Sequence, residues 1–341
     1  MSEPHLVLEN ISKIFGSDVD AGLKALRQGK SKSEVLLSAN QIIGARDINL
    51  QVNRGELFVV MGLSGSGKST LIRLINRLIE PSAGRVLLNG LDVTTMSKAE
   101  LIEMRRRKMS MVFQSFALMP HLNIIHNVAF GLTIAGVDKK EAMQRAEQAL
   151  QLVGIAEVAD HYPDQLSGGM QQRVGLARAW VTDSEIMLMD EAFSALDPLI
   201  RTEMQDALLA LQGNARRTIV FISHDLSEAV RIADRIAVMA EGEIRQVGTP
   251  MEIIENPADD YVRAFFKDVS FSRLFTAGDI AIAGDMKTSL EPVPHHALLE
   301  DILPLAANNE SPIPVADKNG NIIGTINRTR LLKVLAEGRK V

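Results

Sequence analysis

Short apolar runs bounded by Gly, Asn or Pro alternate along this chain with longer stretches of helical spacing. Residues 6–8 and 11–15 predict two short strands leading to Gly16. The pattern then changes. Residues 21–27 have helical spacing, and Ser31-Lys-Ser-Glu34 is a capping box that opens a second short helix through Leu37. Alternation resumes over residues 45–52, so residues 18–40 read as a helical insertion between two strands. Arg54-Gly55 turns into the apolar run Leu57-Phe-Val-Val-Met61, and residues 70–78 predict an amphipathic helix ended by Pro81-Ser-Ala-Gly84. Strands are also expected at residues 85–90, 109–113, 186–189 and 218–222. Residues 120–180 read as a helical subdomain set between strands of the main sheet. Within it Asp138-Lys-Lys-Glu141 is a start, Ala146, Ala149, Leu150 and Val153 share a face, and Gly154 is a stop.

The candidate chemistry sits where strands meet helices. Gly62-Leu-Ser-Gly-Ser-Gly-Lys-Ser-Thr70 has the spacing G-x-x-x-x-G-K-S between an apolar strand and an amphipathic helix, the setting of a phosphate-binding loop. Gly62, Gly65 and Gly67, with Ser64 and Ser66 between them, let backbone N–H groups turn inward as a nest for anionic oxygens. The helix that carries Thr70 adds its positive end. Lys68 is placed to reach the outer phosphates of a nucleotide triphosphate, and the Ser69 hydroxyl to ligate Mg2+. Ser167, Gly168 and Gly169 open a second helix over residues 170–180 and again expose orphan N–H groups to a phosphate. The apolar strand at 186–189 ends in Asp190-Glu191, a costly pair to bury without a partner. Beside a triphosphate, Asp190 orients Mg2+ and Glu191 polarises the attacking water. Ser194-Ala-Leu-Asp197 follows. His224 ends the strand at 218–222, on the edge where α/β sheets hold ligands, and is read as a contact to the outermost phosphate.

Composition narrows the class. A chain of 341 residues predicts two domains, or one with an appendage, and a formal charge of −5 argues against a nucleic-acid partner. There is no cysteine, so neither disulfides nor thiolate metal sites arise. No secretory pattern opens the sequence and no window approaches ~20 continuous apolar residues, which predicts a soluble chain. Arg105-Arg-Arg-Lys108 is either a solvated helix end or a contact for a lipid headgroup or partner.

In order along the chain, the phosphate loop, Gln114, the stretch from Leu166 to Met170, Asp190-Glu191, Asp197 and His224 resemble the ATPase of an ATP-binding cassette (ABC) transporter. Val112-Phe-Gln-Ser-Phe-Ala-Leu-Met-Pro120 and Met189-Asp-Glu-Ala-Phe-Ser-Ala-Leu-Asp-Pro198 look like the subunit of glycine betaine/proline (quaternary ammonium) importers. The resemblance implies an α/β phosphate-loop NTPase cassette over residues 1–270, with a mainly parallel core sheet, an antiparallel β subdomain and the helical subdomain. It implies ATP and Mg2+ as cofactors, hydrolysis coupled to import, and two copies sandwiching each ATP between one phosphate loop and the other's Ser167-Gly168-Gly169. Phe15 falls where the family stacks an aromatic on adenine. Gln114 falls where it senses Mg2+, and Asp197 belongs to the same cofactor set. Integral membrane permease subunits would dock near residues 115–127, at the cytoplasmic face of the membrane, with a substrate-binding protein engaged indirectly. The neighbouring readings are an amino-acid importer ATPase and a non-transport ABC ATPase.

The tail is expected to add a helix over residues 252–267 broken by Pro257, a linker over 271–285, and one motif over 286–341. That motif, in the order helix, strand, turn, strand, helix, resembles a single α+β regulatory motif of the cystathionine-β-synthase (CBS) type. The family's nucleoside-holding Asp aligns with Arg330. The final stretch carries five basic side chains against Glu337 alone, a solvated face or a contact for an anionic surface.

Overall fold

The computed structural model describes residues 4–113, 117–215, 217–267, 272, 275–282 and 290–337. The chain divides into two compact units, residues 1–224 with 232–247, and residues 225–231 with 248–341.

In the first unit, β1 (Pro4–Phe15) is followed by α1 (Val19–Arg27), α2 (Lys32–Ala39), β2 (Ile42–Asn53), β3 (Leu57–Met61) and α3 (Lys68–Ile75). Next come β4 (Ala83–Leu88), β5 (Leu91–Asp92), α4 (Lys98–Arg107), β6 (Met109–Val112), α5 (Ile124–Ile134), α6 (Lys139–Leu152) and α7 (Gly168–Trp180). The chain continues through β7 (Ile186–Asp190), α8 (Pro198–Ala215) and β8 (Thr218–Ile222), passes through α9 (Leu226–Ile232), which belongs to the second unit in all but its last residue, and returns with β9 (Arg235–Ala240) and β10 (Glu243–Gly248). One sheet is antiparallel, in the order β2-β1-β4-β5; the other runs β10-β9-β3-β8-β7-β6. In the second sheet β9, β3, β8, β7 and β6 are parallel neighbours. Its central strands β3, β7 and β8 are buried at every position, which is why they read as unbroken apolar runs. One apolar cluster joins the two sheets through α3, whose Leu71, Ile72, Leu74 and Ile75 are buried in it. Each such side chain contributes about 1.5–3 kcal/mol.

Three expectations are corrected here. The two N-terminal strands are one: Asn10, at φ 50°, takes up a register shift between Leu8 and Ile11, so the polar break is a bulge. The strand after the insertion begins at Ile42, not at residue 45. The helix after the phosphate loop stops at Ile75, well before Pro81, and residue 83 already lies in β4. Tertiary contacts end it. Arg77 turns left-handed at φ 52°, and Arg105 donates to the carbonyls of Asn76 (3.0 Å) and Arg77 (2.7 Å). The basic run is therefore divided: Arg105 satisfies carbonyls at the end of α3, whereas Arg106 and Arg107 pair with Glu103.

The insertion is a packed feature. Val35, Ala25 and Leu26 bury against Ile14 and Ile43 of the flanking strands. Asp18 and the Ser31/Glu34 capping box hold the two helix starts. In the helical subdomain α6 buries Ala142, Ala146, Ala149 and Leu150, and Gly154 follows it at φ 66°.

The second unit contains α10 (Pro250–Glu255), α11 (Asp260–Phe265), α12 (Ala277–Ile280), β11 (Val293–Pro294), α13 (Leu299–Asn308), β12 (Ile313–Ala316), β13 (Ile322–Ile326) and α14 (Arg328–Glu337). A three-stranded sheet runs β11-β12-β13, and Asp317 holds the β12–β13 turn by accepting from the N–H groups of Asn319 and Asn321. The expected linker is corrected: Phe275, Ala277 and Ile280 are fully buried with Leu299, Val315 and Val334, and Met251 packs on the same cluster. Three apolar side chains spaced too irregularly for a periodic signal belong to the core. Arg330 donates to the Ile280 carbonyl at 2.6 Å. Among the described residues no helix is long and apolar enough to cross a membrane.

Candidate phosphate-loop site

Three neighbouring parallel strands end at one level. Val60 and Asp190 both register with Ile222, so β3, β8 and β7 deliver the phosphate loop, His224 and Asp190-Glu191 to the same rim. This follows from the parallel topology, in which the C-terminal ends of the strands share an edge.

The loop is fitted to its surroundings. A Cβ on Gly62, at φ 152°, would lie 2.2 Å from the Met239 carbonyl oxygen, and one on Gly67, at φ 105°, 2.4 Å from that of Gly44. No other residue type fits either position without displacing backbone. Lys68 is 6% exposed and donates to the carbonyls of Gly62 (2.7 Å) and Leu63 (3.0 Å). Burial pushes its ammonium below the ordinary lysine value, against the opposing pull of Glu191 and Asp190. Ser66 is buried and its Oγ has no hydrogen-bond partner among the described residues. Ser64 and Gly65 are exposed at the lip of the loop, and Thr70 lies in the first turn of α3.

Ser69 Oγ donates to Asp190 Oδ1 at 3.1 Å. Asp190 is 2% exposed, and burial raises its carboxyl above the usual range, with the Ser69 bond opposing. A hydroxyl and a carboxylate side by side are the hard oxygen donors that suit Mg2+. Glu191 adopts a left-handed φ of 50°, and His224 Nδ1 lies 3.4 Å from its carboxylate. A non-glycine residue in that conformation is costly unless its surroundings hold it.

Gln172 supplies such a hold, and sequence reasoning missed it. It is 1% exposed on α7, and its amide spans the turn after Glu191, donating to the Glu191 carbonyl (3.2 Å) and accepting from Ala195 N (3.0 Å). The run of two glutamines after Ser167-Gly168-Gly169 carried no signal that one of them faces inward.

Phe15 is 37% exposed and lies across Gly44, where a Cβ would come within 2.5 Å of its ring; Thr70 is beside the same glycine. Lys13 sits 5.2 Å from the ring centroid, a cation–π contact. An aromatic face is thus presented next to the start of α3.

Residues 45–194 match the ABC transporter family model. Over 276 residues the chain is 57% identical to the glycine betaine/proline betaine transport system ATP-binding protein ProV of Escherichia coli, spanning 81% of this chain and 69% of that one. The chain belongs to the ABC transporter family. It is 45% identical over 336 residues to the trimethylamine N-oxide transport system ATP-binding protein TmoW of Ruegeria pomeroyi, covering 98% of each chain. Among solved structures it is similar to an ATP-binding cassette crystallised as a dimer in a post-hydrolysis state with ADP and Pi. The TM-score is 0.63 at 30% identity, covering 72% of this chain and 98% of that one.

The ABC fold is a nucleotide-binding one, and the rim gathers only part of the expected set. Ser167 and Gly168 lie exposed at the start of α7, where Ser167 Oγ accepts from Met170 N, and Gly169 lies against the Ala195 carbonyl. Asp197 is exposed and caps α8 by accepting from Ile200 N at 3.1 Å. Gln114, with residues 115 and 116 of the expected docking stretch, lies outside the described residues. The rest of that stretch is organised by fully buried Asn127, whose side chain donates to the carbonyls of Met119, Leu122 and Asn123.

Proposed function

We propose that this chain is the ATP-hydrolysing subunit of an importer for glycine betaine or a related quaternary ammonium osmolyte. The observation that carries the reading is the shared rim of β3, β8 and β7, which sets a phosphate nest, a buried lysine, a Ser–Asp pair and a Glu–His pair side by side. The loop N–H groups and Lys68 bind the phosphates, and Lys68 stabilises charge as the outer phosphoryl group leaves. Phe15 stacks on the base, and Thr70 completes the loop. Ser69, Asp190 and Gln114 would hold Mg2+, which when bound would supply positive charge to the phosphate oxygens. Glu191 accepts the proton of the attacking water, while His224 orients Glu191 and contacts the outer phosphate.

Ser167, Gly168, Gly169 and Asp197 complete the site of a second copy. The exposure of Ser167, Gly168 and Asp197 in one chain supports this assignment, as does the dimeric form of the related cassette. A homodimer closed by ATP and released by hydrolysis then drives permease subunits docked near residues 115–127, with the cassette peripheral at the cytoplasmic face. The order of α13, β12, turn, β13 and α14 supports a single CBS-like regulatory motif in the tail. Its Arg330, tied to the Ile280 carbonyl, does not favour a nucleoside ligand there.

One observation favours a second substrate. Similarity to the trimethylamine N-oxide ATPase of R. pomeroyi runs through 98% of both chains, whereas the glycine betaine relatives ProV of E. coli and GbuA of Listeria monocytogenes are matched over 69% and 82% of their own lengths. Both solutes present a trimethylated nitrogen. Reconstitution with the permease and substrate-binding subunits tests the proposal, with betaine, choline, proline, carnitine and trimethylamine N-oxide supplied in turn. Phosphate release and uptake stimulated by one of the trimethylated solutes are expected. Stimulation by proline alone would move the reading to amino-acid import, and no stimulated release with any solute would overturn it.

A further inference from the structure

We infer that the helical insertion braces the phosphate loop, with Lys32 as a positioning residue for the peptides that shape its nest. The inference rests on the nucleotide-binding reading of that loop. Lys32 Nζ donates to the Gly65 carbonyl oxygen at 3.1 Å, although the two residues are 33 apart in sequence. Lys32 is the first residue of α2, and the capping box fixes its direction: Glu34 Oε2 accepts from Ser31 N at 2.7 Å and Ser31 Oγ from Glu34 N at 3.3 Å. One turn on, Val35 is fully buried in the insertion's own core, so α2 has a seat from which to reach.

A second tie leads to the same loop. Arg46 donates from its guanidinium to the Lys30 carbonyl (3.3 Å) and from its backbone N–H to the Gly242 carbonyl (2.8 Å). Gly242 N in turn donates to the Ser66 carbonyl at 2.9 Å. Consecutive loop carbonyls, those of Gly65 and Ser66, are thus held from outside, one by the insertion directly and one through the strand pair beneath it. Within a peptide unit the N–H points away from the C=O, so a pinned carbonyl fixes where the next amide points. The Ser66 N–H, on the peptide that Lys32 holds, closes the loop onto the Leu63 carbonyl at 3.2 Å, the carbonyl that Lys68 also grips. An ammonium on the Gly65 oxygen polarises that peptide and strengthens its amide as a donor. Among the described residues no carboxylate pairs with Lys32, so its charge is directed at the loop.

The test uses the full-length chain, titrated calorimetrically with ADP and with the non-hydrolysable β,γ-imido analogue of ATP. Lys32→Met is expected to weaken both ligands by the same factor, about fivefold, the scale of one partly exposed hydrogen bond to a charged group. Lys32→Arg, which keeps a cationic donor, is expected to restore binding, and amide exchange at Ser66 to quicken in Lys32→Met alone. Lys68→Ala serves as the control for the loop itself and is expected to lose both ligands. Wild-type affinity in Lys32→Met alongside loss in Lys68→Ala overturns the brace and leaves the nucleotide reading standing. A larger loss for the triphosphate analogue than for ADP overturns it too, because it would place Lys32 on the outer phosphate instead of on the loop. Failure of Lys32→Arg to restore binding has the same consequence. Unchanged binding in Lys68→Ala removes the reading on which the brace rests.

Discussion

Replacing Gln172 with Ala separates holding the catalytic turn from binding nucleotide. The side chain is 1% exposed and makes two neutral hydrogen bonds, to the Glu191 carbonyl at 3.2 Å and from Ala195 N at 3.0 Å. Each such bond contributes about 0.5–1.5 kcal/mol. The Glu191 carbonyl keeps other donors, Ser194 N at 3.2 Å and Ser194 Oγ at 2.9 Å, so it is not orphaned. Ala195 is exposed, so water replaces part of what its N–H loses. The expected destabilisation is therefore about 1–3 kcal/mol, without the full penalty of a buried orphan. Function should suffer in a different way. Glu191 is held at φ 50°, a conformation costing about 1–3 kcal/mol, and Gln172 ties its carbonyl to α7, which is buried from Val174 to Ala177. If 1–2 kcal/mol of that positioning is lost, phosphate release falls about 5- to 30-fold. The assay measures steady-state phosphate release by the reconstituted complex and, separately, the nucleotide dissociation constant of the purified chain. Gln172→Glu removes the donor to the Glu191 carbonyl and sets a buried carboxylate against that oxygen, so it should lower both stability and turnover at least as far as Gln172→Ala. Wild-type turnover in Gln172→Ala, or a nucleotide affinity that falls in step with turnover, would refute the reasoning.

Three further outcomes are expected. Glu191→Gln should retain ATP while phosphate release drops by at least about 10²-fold, the usual scale of general base catalysis; turnover at the wild-type rate would remove Glu191 from that role. Asp190→Asn should raise the melting temperature of the cassette in magnesium-free buffer, by ~2–4 °C per kcal/mol recovered, while magnesium-dependent turnover is lost. The sign follows from burial: a folded carboxyl raised above its unfolded value is most stable protonated and loses stability as pH rises, so the ionised form costs stability at neutral pH. A lowered melting temperature would contradict this. His5 is 1% exposed, its Nδ1 within hydrogen-bond distance of Thr218 Oγ1, and burial, with Arg54 second, lowers its pKa. Because the unfolded chain then takes the proton first, stability should decline as pH falls below about 6.5, and His5→Gln should flatten that slope in urea titrations. An unchanged slope would assign the pH dependence elsewhere.

Much of the site was legible because its chemistry depends on residues close together in the chain. Gly62 to Thr70 carries its own strand, loop and helix start, and Asp190-Glu191 ends a strand too apolar to hide two charges. The parallel sheet then needed only the strand ends to be recognised. Gln172 was not legible, since nothing local distinguishes an inward amide from the glutamine beside it. Helix α3 was read too long for a related reason: its local periodicity continues to residue 78, but Arg105 captures its last carbonyls from another helix. Phe275 and Ile280 were assigned to a linker because isolated apolar residues have no period, and only the packing against Leu299 and Val334 discloses a core.

The amino-acid order by itself determined the loop, its buried strands and the carboxylates at their ends, because each follows from backbone freedom, side-chain period or the cost of burying charge over a few residues. Tertiary structure alone decided that three strand ends share a rim, that α7 supplies the amide behind Glu191, and that a lysine from an insertion touches the phosphate loop. Those contacts join residues tens to more than a hundred positions apart, and their geometry comes from packing, to which local spacing is blind.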